Sequence, residues 1–110
     1  MRGSARSLRG REIRGLMRGR PLRSRRVTLY LAPAPDAPRV AVVTGRGVGG
    51  AVRRNRARRI IREAWRAVAP RLAEPADAVL VARPEIDGAT TGDLIEEVED
   101  VLTRAGVMAG

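Results

Sequence analysis

The alternation of apolar and polar positions is sharpest between residues 51 and 68. Placed on a helix at about 100° per residue, this stretch separates into two faces. One carries Ala57, Ile60, Ile61, Ala64, Trp65, Ala67 and Val68; the other carries Asn55, Arg56, Arg58, Arg59, Arg62, Glu63 and Arg66. Only Arg53 and Arg54, in the first turn, break the division. Such a helix buries one side in a core and offers the other to solvent or to a charged partner. A second amphipathic helix is predicted over residues 93–104, with Leu94, Ile95, Val98, Val101 and Leu102 on one face. Asp93 and Glu96 form its expected capping pair, and the acidic residues Glu96, Glu97, Glu99 and Asp100 its solvated side.

Three strands are predicted around these helices. Residues 26–31 alternate partly, 39–44 are a β-branched run, and 77–82 form a short apolar run that looks buried, closed by Arg83-Pro84. Residues 32–38 hold three prolines and read as a hairpin loop joining the first two strands as an antiparallel pair. A short helix over roughly 9–18 places Ile13, Leu16 and Met17 on one side, weakened by Gly10, Gly15 and Gly19 and ended by Pro21. Residues 1–7 read as a flexible basic arm, and 8–110 as one domain.

Charge changes what the long helix means. The chain of 110 residues has a net charge of +10, and all its basic residues are arginines. Residues 1–71 hold 20 arginines against three acids, whereas residues 72–110 hold two against nine. Arg58, Arg62 and Arg66 are spaced i, i+4, i+8, so they stack and repel unless a polyanion lies against them. A charge run is ordinarily a solvated helix face, but here Glu63 alone could lace it. Arginine forks onto phosphate oxygens, so the face points to nucleic acid.

The inventory for chemistry is thin. With no histidine and no cysteine, the chain lacks an imidazole base, a thiolate nucleophile and disulfides. Its serines, Ser4, Ser7 and Ser24, have no evident activating base. No catalytic residue and no metal ligand is therefore expected. No apolar run reaches the length of a membrane span, and the basic N-terminus lacks the apolar stretch of a secretory signal. The cytoplasm is the expected location.

Gly45-x-Gly47-x-x-Gly50, between a strand and a helix, matches the dinucleotide-binding fingerprint literally. That fingerprint belongs to a larger doubly wound sheet. Arg83 and Pro84 stand where its acid should close the next strand, and Ala51-Val52 where a P-loop needs Lys-Ser/Thr. A turn that lets backbone N–H groups and Arg46 approach a phosphate suits the sequence better than a nucleotide-dependent enzyme. Trp65 is expected in the core, and Tyr30 either in the core or as a stacking platform for an unpaired base.

Over residues 48–66 the pattern becomes specific. Val48-Gly49-x-Ala51-Val52-x-Arg54-Asn55-Arg56-x-Arg58-Arg59-x-x-Arg62-Glu63-x-x-Arg66 resembles the signature of the protein subunit of bacterial ribonuclease P. The likeness extends more weakly over most of the chain, through Arg39, the strand from Asp77 to Arg83 and the last helix. It implies an α+β fold: a small α/β sandwich ordered α-β-β-β-α-β-α, with a left-handed βαβ crossover and a short extra strand near Leu22–Arg25. It further implies a component of the endoribonuclease that removes the 5′ leader of precursor tRNA. In that family the RNA subunit holds the catalytic Mg²⁺ and performs the hydrolysis, while the protein binds that RNA and grips the single-stranded leader.

By position, the resemblance makes Arg54, Asn55, Arg56, Arg58, Arg59, Arg62 and Arg66 contacts of the catalytic RNA, with Arg46 just before the helix. It makes Tyr30 a residue of the leader cleft, with Ile13 and Met17 where the family commonly carries phenylalanines. Gly45-Arg46-Gly47 replaces the family's usual Ser-Lys-Lys, so one cation is lost. The expected partners are ribonuclease P RNA and precursor tRNA, with no membrane and no protein partner. The competing expectation is a structural RNA-binding protein of ribosomal type.

Overall fold

The computed structural model describes residues 6–109. In chain order the elements are β1 (Arg6–Ser7), α1 (Gly10–Leu16), β2 (Leu22–Arg23), β3 (Val27–Pro33), β4 (Arg39–Val43), α2 (Ala51–Val68), β5 (Ala76–Ala82) and α3 (Thr91–Ala105). The architecture is α+β, with one mixed sheet in the order β1-β4-β5-β3-β2. Strand β2 falls where the resemblance placed an extra strand. Of the arm expected over residues 1–7, the last two residues instead pair as β1 in parallel with Arg39 and Val40 of β4. Its first five lie outside the described residues.

The largest departure from the sequence reading is the hairpin. β3 and β4 are not neighbours, because β5 lies between them, antiparallel to β3 and parallel to β4. The connection from β3 to β4 therefore crosses the end of β5. Burial explains the order. β5 alternates Ala78, Leu80 and Ala82 toward one core with Val79 and Val81 toward another, so it is apolar on both faces and takes the centre. Pro33, expected in the loop, ends β3 opposite Ala76. Only Thr28 and Leu29 of β3 pair with β2, so Pro33 sits where one side of the strand is open and a missing N–H costs nothing.

The sheet separates two apolar clusters. On one side Val27, Leu29, Val40 and Leu80 pack with Ile60, Ile61, Trp65 and Val68 of α2 and Leu94, Val98 and Leu102 of α3. On the other, Leu8, Ala41 and Val79 pack with Ile13 and Leu16 of α1, and with Tyr30, Val43 and Val81. Helix α1 buries no residue completely and spans only seven residues, so Tyr30, Val43 and Val81 stay partly open.

Helix α2 has the predicted bounds, except that Ala67, assigned to the apolar face, is exposed. It lies near the edge of that arc, and its methyl loses little by facing water. Helix α3 starts earlier than expected. Its N-cap is Thr90, whose Oγ1 accepts from the Asp93 N–H at 3.1 Å while Asp93 accepts from the Thr90 N–H at 3.0 Å. This reciprocal pair replaces the predicted Asp93–Glu96 one, because Thr90 keeps the extended backbone an N-cap needs. Gly106, left-handed at φ 76°, ends the helix.

Candidate nucleic-acid interface

The segment between β4 and α2 makes a 3-10 turn over Arg46–Val48 before the helix starts at Ala51. Val48 is buried and anchors the turn. Gly49 has φ 126°, and a Cβ there would stand 2.7 Å from Arg53 Cδ. Only glycine fits that position. The glycines of the apparent fingerprint, Gly45, Gly47 and Gly50, need no such freedom, since positive φ among the described glycines falls at Gly49, Gly88 and Gly106. The match to the dinucleotide motif is thus one of spelling.

The arginines of α2 divide into braced and free groups. Arg58 is held from both sides, donating to Thr44 Oγ1 and to Asn55 Oδ1, each at 2.6 Å. Arg56 donates to the Ala89 carbonyl at 2.7 Å, and Arg54 to the Gly49 carbonyl at 3.2 Å. These carbonyl and amide acceptors orient the guanidiniums without neutralising them. Arg59 reaches Glu63 at 3.7 Å, a loose exposed pair that adds little stability. Glu63 also accepts from the Thr91 hydroxyl at 2.8 Å. Arg62, Arg66 and Arg46 are exposed and meet no carboxylate among the described residues. The predicted stack is therefore not uniform: Arg58 is fixed, while Arg62 and Arg66 are free to reach outward. Val52, in the first turn of α2, is 83% exposed, an apolar side chain set next to Arg53 and Arg54.

The predicted cleft residues lie on the opposite face of the sheet. Ile13 and Tyr30 share one apolar cluster. Met17, expected beside Ile13, stands at the C-cap of α1, is 37% exposed and lies outside that cluster. With α1 only two turns long, a residue past its end no longer points at the sheet.

The sequence reading missed what holds α1 in place. Asp77, 3% exposed, accepts from the Arg39 N–H at 2.9 Å and from Arg39 Nη2 at 3.0 Å, while Arg39 Nη1 pairs with Glu12 of α1. Asp77, Arg39 and Glu12 all face the cleft side, and the chain of charges ties α1 to β4 and β5. The Arg9 N–H and then the Arg39 guanidinium hold the Glu12 carboxyl below its ordinary range. The hydrogen bonds that Arg39 donates to Asp77 and then to Glu12 raise its own guanidinium above the ordinary value. Glu97, read as part of a solvated face, is another such tie. It accepts from Ser24 Oγ at 2.5 Å, the Arg26 N–H at 2.6 Å and Arg26 Nη1 at 3.1 Å, so it latches the β2–β3 turn onto α3.

A cavity of about 400 Å³ lies elsewhere, lined by Leu31, Pro33, Leu72 and Val107 among others, with no arginine; it has no cation to meet a phosphate. Among the described residues no three His, Cys, Asp or Glu side chains gather as a metal site, and no helix is long and apolar enough to cross a membrane.

An arginine-faced helix seated on a mixed sheet, with glycine-turn backbone leading into it, gives a small α+β protein with a cationic face suited to a nucleic-acid backbone. Comparison with known proteins narrows this. The ribonuclease P family matches residues 4–106. The ribonuclease P protein component of Thermus aquaticus is 39% identical over 104 residues, covering 93% of this chain and 61% of that protein. That of Chloroflexus aurantiacus is 42% identical over 89 residues, covering 79% and 66%. The chain thus spans less than two thirds of the length of these relatives. The Staphylococcus aureus RNase P protein structure superposes with a TM-score of 0.79 at 23% identity, covering 96% of this chain and 99% of that one. The Thermotoga maritima RNase P protein gives 0.75 at 23% identity, covering 92% and 97%. This chain belongs to the ribonuclease P protein family.

Proposed function

We propose that the chain acts as the protein subunit of a ribonuclease P ribonucleoprotein, which removes the 5′ leader of precursor tRNA. The observation that carries the reading is the outer face of α2. Its apolar side is closed in the core, while Arg62 and Arg66, with Arg46 before the helix, stand exposed and meet no carboxylate among the described residues. Repulsion along such a face is relieved when phosphates displace counterions. In this reading those phosphates belong to the catalytic RNA.

In this reading Arg54, Asn55, Arg56 and Arg58 arrive pre-oriented by their own hydrogen bonds, which lowers the ordering cost of binding. The partly open apolar strip of Tyr30, Val43 and Val81, roofed at one side by Ile13 and Leu16, receives the unpaired leader. Tyr30 supplies the one aromatic face there. The RNA subunit holds Mg²⁺ and carries out hydrolysis in the cytoplasm; the protein contributes position and charge.

The test is cleavage of a leader-bearing precursor tRNA by a bacterial ribonuclease P RNA at low Mg²⁺, with and without this protein. Stimulation that fades as the leader is shortened is the expected result. Tight RNA binding without stimulation would overturn the enzyme assignment and leave a structural RNA binder.

A further inference from the structure

A second cationic surface lies away from α2. Arg11, Arg14 and Arg18 follow i, i+3, i+7, and the Arg18 N–H donates to the Gly15 carbonyl at 3.3 Å, so the stripe continues past the end of α1. Their side of α1 is opposite Ile13 and Leu16, which pack onto the sheet. The chain then passes through Arg20 to β2, where Arg23 and Arg25 follow. All six arginines are exposed, and none meets a carboxylate among the described residues. The acid in reach is already taken: Glu97 is consumed by Ser24 and Arg26, and in doing so it fixes the turn that presents Arg23 and Arg25. Glu12, the acid of α1, is turned inward to Arg39.

Two features separate this surface from the α2 face. The sheet lies between them, since α1 packs on one side and α2 and α3 on the other. At the β2 edge the intervening element on the α2 side is α3, which carries the exposed acids Glu96 and Asp100. One RNA segment lying on α2 does not run onto this rim. The rim instead adjoins the apolar strip, because β2 pairs with β3, the strand that carries Tyr30, and α1 roofs that strip.

We propose that this rim is a track for the upstream part of the precursor leader, the nucleotides beyond those held in the cleft. The inference rests on the leader-cleft reading above. A flexible single strand leaving an apolar strip follows a bordering row of cations, contacting phosphates without regard to base. The surface therefore makes affinity depend on leader length, and only weakly on leader sequence.

The experiment uses the assembled holoenzyme with two precursors, one with a short leader that fills only the cleft and one with a long leader. Affinity is measured across a salt series for the unaltered protein and for two variants, Arg11→Ala/Arg14→Ala/Arg18→Ala and Arg20→Ala/Arg23→Ala/Arg25→Ala. Circular dichroism and affinity for the RNA subunit report whether each variant is folded. The long leader is expected to bind more tightly than the short one. Each variant is expected to lose part of that gain, and the salt slope for the long leader to become shallower by about 2 per triple at about 0.7 per phosphate. Binding of the short leader should not change. Retention of the full gain in both variants would overturn the track. So would a loss of RNA-subunit affinity instead, or self-association with unchanged RNA binding, which would make the arginines guards of the β2 edge. If the unaltered protein shows no preference even for the short leader over mature tRNA, the cleft reading itself fails.

Discussion

Helices α2 and α3 lie side by side on one face of the sheet and contribute to the same core, yet they are finished differently. Helix α3 is self-sufficient. Thr90 and Asp93 cap its start, Gly106 its end, and three of its acids, Glu97, Glu99 and Asp100, pair with Arg26, Arg71 and Arg104. Helix α2 has no side-chain cap and no acid in its first turn, and carries arginines from Arg53 to Arg66. Cations near a helix N-terminus oppose the dipole, and at the start of α2 they are answered only by a loose pair of Arg53 with Asp87 at 3.7 Å and by the Gly49 carbonyl that accepts from Arg54. In the reading proposed above, bound RNA supplies the charge that α3 finds within the protein.

The comparison is broken most severely at the shared core. Trp65→Ala should destabilise the protein by about 3–5 kcal/mol, read by chemical denaturation, while RNA affinity of the folded fraction stays unchanged. Weakened RNA binding at normal stability would place Trp65 on the binding face. Next, replacing Arg58, Arg62 and Arg66 together by Ala should weaken RNA binding and flatten its salt slope by about 2–3. Without RNA, relief of repulsion among the three should be offset by loss of the Arg58 bonds to Thr44 and Asn55, so stability should change by no more than about 1 kcal/mol. A steep slope that survives the triple change would remove α2 from the interface.

The corresponding cut in α3 is smaller and purely structural. Thr90→Ala should cost about 1 kcal/mol through the lost cap, with RNA affinity untouched; an affinity loss would show that α3 also contacts RNA. The smallest effect is on pH. Glu12 and Asp93 are both held below their ordinary carboxylate values, Glu12 by the Arg9 N–H and then Arg39, Asp93 by the Thr90 N–H and then its hydroxyl. Lowered values mean stability that is complete at neutral pH. It begins to fall as pH drops below the ordinary range near about 4 and is lost through the lower folded-state values. Glu12→Gln or Asp93→Asn should make that acid limb shallower in thermal melts.

Much of this was legible from pattern. The bounds of α2 could be read because eighteen residues repeat one strong period, and the apolar run of β5 announced a buried strand. Strand neighbours could not be read so directly. The period of Val40, Val42, Leu29 and Leu31 says which side of a sheet each faces, but not that β5 would separate their strands. Long-range pairs were invisible for a similar reason: Glu97 lies 71 residues from Arg26, and Asp77 38 from Arg39. In both cases the acid looks the same in the sequence whether it meets water or an arginine from elsewhere. The arginine face of α2 was legible because its density exceeded what solvation needs. The braced state of Arg56 and Arg58 was hidden because their acceptors are a loop carbonyl and a threonine hydroxyl.

The position of β5 also sets an order of events during folding. It is the last strand in the chain and the middle strand in the sheet, so neither β3 nor β4 has its principal partner until residues 76–82 exist. Loop closure over such separations is slow compared with local helix formation. Amide hydrogen exchange during refolding should therefore protect β3 and β4 together with β5 and not ahead of it. Until then the arginine-rich two thirds of the chain are a polycation with local helix but no closed sheet. On a ribosome, that segment emerges before β5 into surroundings made largely of RNA, and only the later arrival of one apolar strand withdraws it into a defined shape.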